Sequence, residues 1–151
     1  MTKLFSIFFP LLLITLMTGM PMAAKVPTPA EPPEGVKIIS IDEAHQLLYQ
    51  KDVYVFDMRK ELHYGKGHIP GAVSLTYKWT QKELHFNDRG ELDMSRLPAD
   101  KNAVIIFHGH GPEEWKSYYT SRAAKEAGYN NVMWLRDGYS TWVNKGYAVE
   151  R

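Results

Sequence analysis

Ala103-Val-Ile-Ile-Phe107 is an unbroken apolar run that ends in His108-Gly109-His110-Gly111-Pro112, after which Glu113-Glu114-Trp115-Lys116-Ser117 opens a helical stretch. A short run, apolar at every position, reads as a strand buried on both faces. A glycine-rich turn leading from such a strand into a helix commits the chain to an α/β arrangement. It also puts the turn where a helix N-terminus offers unpaired N–H groups and partial positive charge. Here the junction carries two histidines, two glutamates, a tryptophan and a lysine, while the whole chain contains no cysteine.

The rest of the sequence supplies the partners that such a strand needs. Val36–Ile39 reads as a short strand. Ser40-Ile41-Asp42-Glu43 fits a capping box, and Ile41, Ala44, Leu47 and Leu48 continue at helical spacing to about Tyr49. Val53–Phe56 is a second buried strand with Asp57-Met58-Arg59 at its C-terminal end. A turn of helix is expected over Glu61–Tyr64, and Gly67-His68-Ile69-Pro70-Gly71-Ala72 is turn chemistry before a short strand at Val73–Leu75. Trp79–Leu84 reads as a short helix, Asn87–Gly90 as a turn, and Asp93 as the cap of a helix ending at Leu97, stopped by Pro98. After the glycine-rich turn, the pattern predicts a helix over Ser117–Ala127. Ser117 is its N-cap, the apolar stripe runs through Tyr118, Ala123, Ala124 and Ala127, and Gly128 follows as the stop. Asn131–Leu135 is the last strand, and Arg136-Asp137-Gly138 turns into a helix reaching about Asn144. Strands alternating with helices predict a parallel sheet with helices on both faces.

The N-terminus differs in kind. Lys3 is the only charged residue in 1–24, and Pro21-Met22-Ala23-Ala24 closes the apolar stretch with small residues before Lys25. This reads as an export signal cleaved near Ala24, or as a membrane anchor if it is retained. Residues 25–35 hold four prolines and read as an extended linker, so the domain is expected over 36–151. Formal charge is +1 for the chain and about zero without residues 1–24, which argues against a nucleic-acid partner. Membrane contact is expected only through an uncleaved residue 4–24 segment. Without cysteine, disulfides and a lipid-modified cysteine anchor are both excluded.

Four stretches together resemble a single-domain rhodanese: Asp57-Met58-Arg59 at a strand end, Gly67-His68-Ile69-Pro70-Gly71-Ala72, the strand–loop–helix at 103–128, and Asn131–Gly138 with Trp142 after it. The resemblance covers roughly 36–150 and implies a rhodanese-like parallel sheet flanked by helices. The central loop is similar to that of exported members with a Gly-Pro-x-Cys-Trp-[Lys/Arg]-Ser stretch, here Gly111-Pro112-Glu113-Glu114-Trp115-Lys116-Ser117. In active members a loop cysteine, activated by backbone N–H groups and the following helix, takes up sulfur as a persulfide. Alignment to the exported subgroup puts that cysteine at Gly109 and a second one at Glu114; other countings put the first at His108 or Gly111. None is a thiol, so no catalytic residue of that chemistry is present.

What remains is a loop, His108–Ser117, with several uses open. The first is a catalytically silent module that binds an exported protein or a small ligand through His108, Gly109, His110, Gly111, Glu113, Glu114, Trp115, Lys116 and Ser117, and needs no cofactor. The second is a Zn or Cu site on His108 and His110, with Glu113 or Glu114 adding an oxygen. The third is non-thiol acid–base chemistry at the same loop. Glu113 and Glu114 oppose binding of an anion there and take the positive end of the helix dipole themselves. The resemblance implies structural roles for Asp57 and Arg59, as an ion pair bonded to nearby loops, and for His68, Pro70 and Gly71.

Overall fold

The computed structural model describes residues 25–75 and 92–151. The expected export segment, the Trp79–Leu84 helix and the Asn87–Gly90 turn lie outside the described residues.

Among the described residues, five strands form one parallel sheet: β1 (Lys37–Ile38), β2 (Val53–Asp57), β3 (Val73–Ser74), β4 (Val104–His108) and β5 (Asn131–Leu135), in the order β1-β5-β4-β2-β3. β4 is central, in register with β2 from Val53↔Val104 to Asp57↔His108 and with β5 from Val104↔Asn131 to His108↔Leu135. Alternation splits its side chains between two cores. Ile105 and Phe107 join Phe56, Val132 and Trp134 on one face, with Trp115, Tyr119 and Ala124 of α3 (Trp115–Glu126). Ile106 joins Val55 and Leu135 on the other, with Ile41 and Ala44 of α1 (Ile41–Leu47) and Trp142 of α4 (Gly138–Asn144). Burial on both faces explains the apolar run Val104–Phe107 of β4.

The local signals act as their chemistry suggests. Ser40 and Glu43 complete a reciprocal capping box at α1, although the helix ends at Leu47 rather than Tyr49. α2 spans Glu61–Lys66. Asp93 caps one 3-10 turn, Met94–Arg96, by accepting from the Ser95 N–H and hydroxyl.

α3 departs from the expectation. It starts at Trp115, with Glu114 and not Ser117 in the N-cap position. Ser117 lies inside the helix, 2% exposed; its hydroxyl donates to the Glu114 carbonyl at 3.2 Å and accepts from Trp134 Nε1 at 3.0 Å. The buried stripe is Trp115, Ser117, Tyr119, Thr120, Ser121 and Ala124, whereas Ala127 is exposed. Small hydroxyl residues let the helix sit close on the sheet while bonding within the helix, as Ser121 does to the Ser117 carbonyl at 2.7 Å. Counting only apolar residues therefore rotates the helix to the wrong face.

Residues 25–35 contain no helix or strand, yet they are not a free linker. Thr28 is 3% exposed and hydrogen-bonded to the body of the domain.

Replacing Ser117 with alanine leaves the buried Trp134 indole N–H without an acceptor. A loss of about 1–3 kcal/mol in unfolding free energy is expected by urea denaturation, with little change in the denaturant slope.

Candidate functional site

The crevice lies at the C-terminal ends of β2, β4 and β5, where an open parallel sheet presents its loops. Its foundation is the end of β2. Asp57 and Arg59 are buried, at 0% and 2% exposure. The Arg59 backbone N–H and Nε each donate to Asp57 Oδ1 at 2.9 Å, and one terminal guanidinium nitrogen donates to Oδ2 at 2.6 Å. That same nitrogen donates to the Gly67 carbonyl at 2.7 Å, and the guanidinium lies 3.7 Å from the centre of the Tyr139 ring. Burial alone raises the Asp57 carboxyl. His108 and the Arg59 guanidinium and N–H outweigh it and hold Asp57 below its ordinary value, with Arg59 decisive at neutral pH because burial keeps His108 uncharged.

The Gly67–Ala72 turn ties this corner to the chain end. His68 stacks on Tyr64 at 3.9 Å and exchanges two backbone hydrogen bonds with Glu150, at 2.9 and 3.0 Å. Gly71, at φ 72°, donates its N–H to the Glu150 carboxylate at 2.9 Å, and Pro70 between them is half-buried. These residues sit behind the crevice and shape it without lining it.

The loop after β4 is held by its carbonyls. Gly109 and His110 carbonyls accept the Tyr139 and Ser140 N–H groups at the start of α4, both at 2.9 Å. Gly138 makes this approach possible. It sits at φ 62°, and a Cβ there would lie 2.6 Å from the Gly109 oxygen and 2.7 Å from the Gly111 nitrogen. The Gly111 carbonyl accepts the Glu114 N–H at 2.9 Å, and the Pro112 carbonyl accepts both the N–H and hydroxyl of Thr28 at 2.7 Å.

The two histidines of the loop have different surroundings. His108 is fully buried; Nδ1 lies 3.2 Å from the Gly109 carbonyl, and Nε2 lies 3.8 Å from Asp57 Oδ2 without a hydrogen-bond partner among the described residues. Burial pushes its pKa down. His110 is half-buried and meets the His63 ring edge-on at 4.7 Å; burial, then Arg59 and His63, lower its pKa. Among the described residues, no three histidine or carboxylate side chains come together in a way that could hold a metal ion.

Glu114 takes an unexpected place. An ideal Cβ built on Gly109 would overlap the Glu114 Cγ and lie 2.7 Å from its Cβ. The glutamate therefore fills the space into which a side chain at position 109 would project. Burial raises its carboxyl, against the opposing charge of Lys116. Lys116 is half-buried, and Trp115 packs under the helix start, stacked on Tyr119 at 5.6 Å with its indole N–H donated to the Val26 carbonyl at 2.8 Å.

Two clefts meet at His110 and Ser140. One, of about 410 Å³, is walled by Lys25, Pro27, Glu113, Glu114, Asp137 and Thr141. The other, of about 390 Å³, is walled by Arg59, His63, Lys66 and Tyr139. Sequence reasoning found the loop but missed His63, the α4 start and residues 25–28. Asp137-Gly138 before a helix was the available signal for α4; nothing in the Pro-rich stretch indicated that it docks.

Two outcomes follow from this geometry. Gly109→Cys should cost about 1–3 kcal/mol because Glu114 must move, and Glu114→Ala in the same chain should recover most of it; a double-mutant cycle measures the coupling. The second concerns His108. Its folded pKa is depressed, so below about pH 6.5 the unfolded chain binds a proton that the folded chain refuses, and stability falls as pH falls. From pH 7.5 to 5.5 the unfolding free energy should decline by up to about 1.4 kcal/mol per pH unit from this group. The slope should flatten in His108→Gln; the raised Glu114 carboxyl acts with the opposite sign and is common to both chains.

The model of the "Rhodanese-like domain" family matches residues 40–145. Over 116 residues the chain is 30% identical to the "Uncharacterized protein YibN" of Escherichia coli K12, covering 77% of this chain and 73% of that protein. It is 28% identical to the "Thiosulfate sulfurtransferase GlpE" of Pseudoalteromonas translucida, covering 70% and 88%. The crystal structure of the BH2092 protein from Bacillus halodurans superimposes with a TM-score of 0.58 at 20% identity, covering 76% of each chain, a likeness of fold. With the all-parallel sheet, the Asp57–Arg59 corner and the loop on β4 in place, the chain belongs to the rhodanese-like family, and it does so without a cysteine.

Proposed function

We propose that this chain is a binding module of the rhodanese-like family, not a sulfurtransferase, and that its cleft takes a positively charged group presented by a partner protein or a small ligand outside the cytoplasm. A persulfide on the protein needs a thiol, and the sequence has none. The observation that carries the reading is Glu114, whose side chain occupies the room above Gly109. A carboxylate there replaces nucleophile and bound anion together. Glu113, Glu114 and Asp137 share the cleft with one lysine, Lys25, and burial keeps His110 toward its uncharged form. Three lining carboxylates against one lining ammonium repel an anion such as thiosulfate and favour a cation, with Lys116 offsetting part of the Glu114 charge.

The module requires no cofactor in this reading. Residues 1–24 direct it out of the cytoplasm as a cleaved signal or hold it as an anchor, and its near-zero charge without them gives nucleic acid no purchase. A Zn or Cu ion on His108 and His110 is the rival proposal.

The test is made on the chain beginning at Lys25, purified without chelator or affinity histidines. Thiosulfate:cyanide sulfurtransfer is expected to stay at the blank rate. Amide signals of Gly111 and Ser140 should shift saturably with a lysine-rich peptide and not with thiosulfate. Native mass spectrometry should give the bare mass. Turnover, saturable thiosulfate binding, or one metal ion per chain that is lost in His110→Ala would each overturn the proposal.

A further inference from the structure

We propose that Lys25–Pro29 is a detachable strap that forms one wall of the first cleft, and that its release controls access to Glu114 and to the side of His110 that faces that cleft. The strap is stitched to three separate elements. Thr28 gives its N–H and hydroxyl to the Pro112 carbonyl in the loop, both at 2.7 Å. The Val26 carbonyl accepts the Trp115 indole N–H at the start of α3, at 2.8 Å. Arg136, in the turn before α4, donates to the Thr28 and Pro29 carbonyls at 2.9 and 3.0 Å and to the Thr28 hydroxyl at 3.2 Å. Between these stitches Lys25 and Pro27 face the cleft.

The nature of the attachment makes it reversible. Thr28 alone is buried; Lys25, Val26, Pro27 and Pro29 are exposed, Val26 by 62%. Hydrogen bonds without an apolar anchor give a segment a low free energy of local opening. Pro27 and Pro29 fix φ on either side of Thr28 and bias Val26 and Thr28 to extended backbone, so little conformational freedom is lost on docking and little is gained on release. The strap thus docks and leaves as one stiff piece. It carries the Lys25 charge with it, the one lysine among the described residues that lines that cleft beside Glu113, Glu114 and Asp137. Release therefore both opens the cleft and makes it more acidic. These residues directly follow the stretch read as an export signal or anchor, so whatever holds or cuts the chain near Ala24 acts on the strap.

A chain without cysteine lends itself to a direct test. Thr141→Cys places one thiol in the cleft wall, and its rate of reaction with a small aromatic disulfide reports access. Ala103→Cys, buried just before β4 at the opposite end of the sheet, reports general opening. Each reporter is measured in the chain from Lys25, with the strap loosened by Thr28→Val plus Arg136→Gln, and in a second chain beginning at Pro32. The cleft thiol should react about tenfold faster or more in both loosened forms, with the Ala103→Cys rate unchanged. An unchanged rate at Thr141→Cys, or an equal acceleration at both positions, overturns the strap. Access is read directly, so the result stands apart from which charge the cleft prefers.

Discussion

The buried Asp57–Arg59 pair is the constraint on which the crevice depends. Two charges are removed from water at the end of β2, and that is tolerated only because their remaining hydrogen-bonding capacity is used. Arg59 satisfies Asp57 through three donors, then reaches the Gly67 carbonyl and lies on Tyr139. A single guanidinium thereby fixes the relative positions of β2, the Gly67–Ala72 turn and α4. Since Tyr139 and Ser140 hold the loop carbonyls, the loop conformation is inherited from that corner. Losing one member of such a pair strands the other charge in the interior, at roughly 3–5 kcal/mol. The pair is thus a device of position, and Arg59 also walls the second cleft.

Because the loop is held through backbone oxygens, its side chains can change without its path changing. Gly109, His110 and Pro112 each give a carbonyl to a donor outside the loop, and Gly111 gives its carbonyl to the Glu114 N–H. None of those bonds specifies a side chain in the loop itself. What specifies the path is external: the absence of a Cβ at Gly138, the α4 N–H groups, and Thr28. A strand–loop–helix frame held in this way can carry a glycine and a glutamate in its loop. Gly109 and Glu114 are a complementary pair, since the small residue makes the room that the large one fills.

The sequence made the frame legible for a physical reason. A strand buried on both faces needs an apolar run, and β4 has one from Val104 to Phe107, whereas Tyr54 of β2 is exposed; a capping box and a positive-φ glycine leave local signatures, and Ser40–Glu43 and Gly128 do. The loop was visible as a glycine-rich turn between an apolar run and a helix, and Asp57 and Arg59 as a strand end; the resemblance added their ion pair. What was hidden depends on contacts distant in sequence. Ser117 looked like a helix cap because serine favours that position, yet the Trp134 indole, from another strand, drew it into the interior. The proline-rich stretch looked like a linker because its composition lacks an apolar face, and it docks through Thr28 and backbone carbonyls, which composition cannot reveal.

Histidine placement shows the same division between what pattern gives and what packing decides. His108 and His110 looked like a chelating pair because they are two apart. At the end of a strand, however, a two-residue spacing does not guarantee a shared direction once the chain leaves the sheet. His108 is still in register with Asp57 and Leu135, and its ring is sealed in the interior. His110 is past the last ladder pair, and its ring rests on His63 where the two clefts join. One ring is therefore a buried neutral group that couples stability to pH. The other faces the cavity, and of the two it is the one a ligand can reach. The boundary between fold and site thus falls between residues 108 and 110, at the point where β4 stops pairing and the loop is handed over to α4 and the strap.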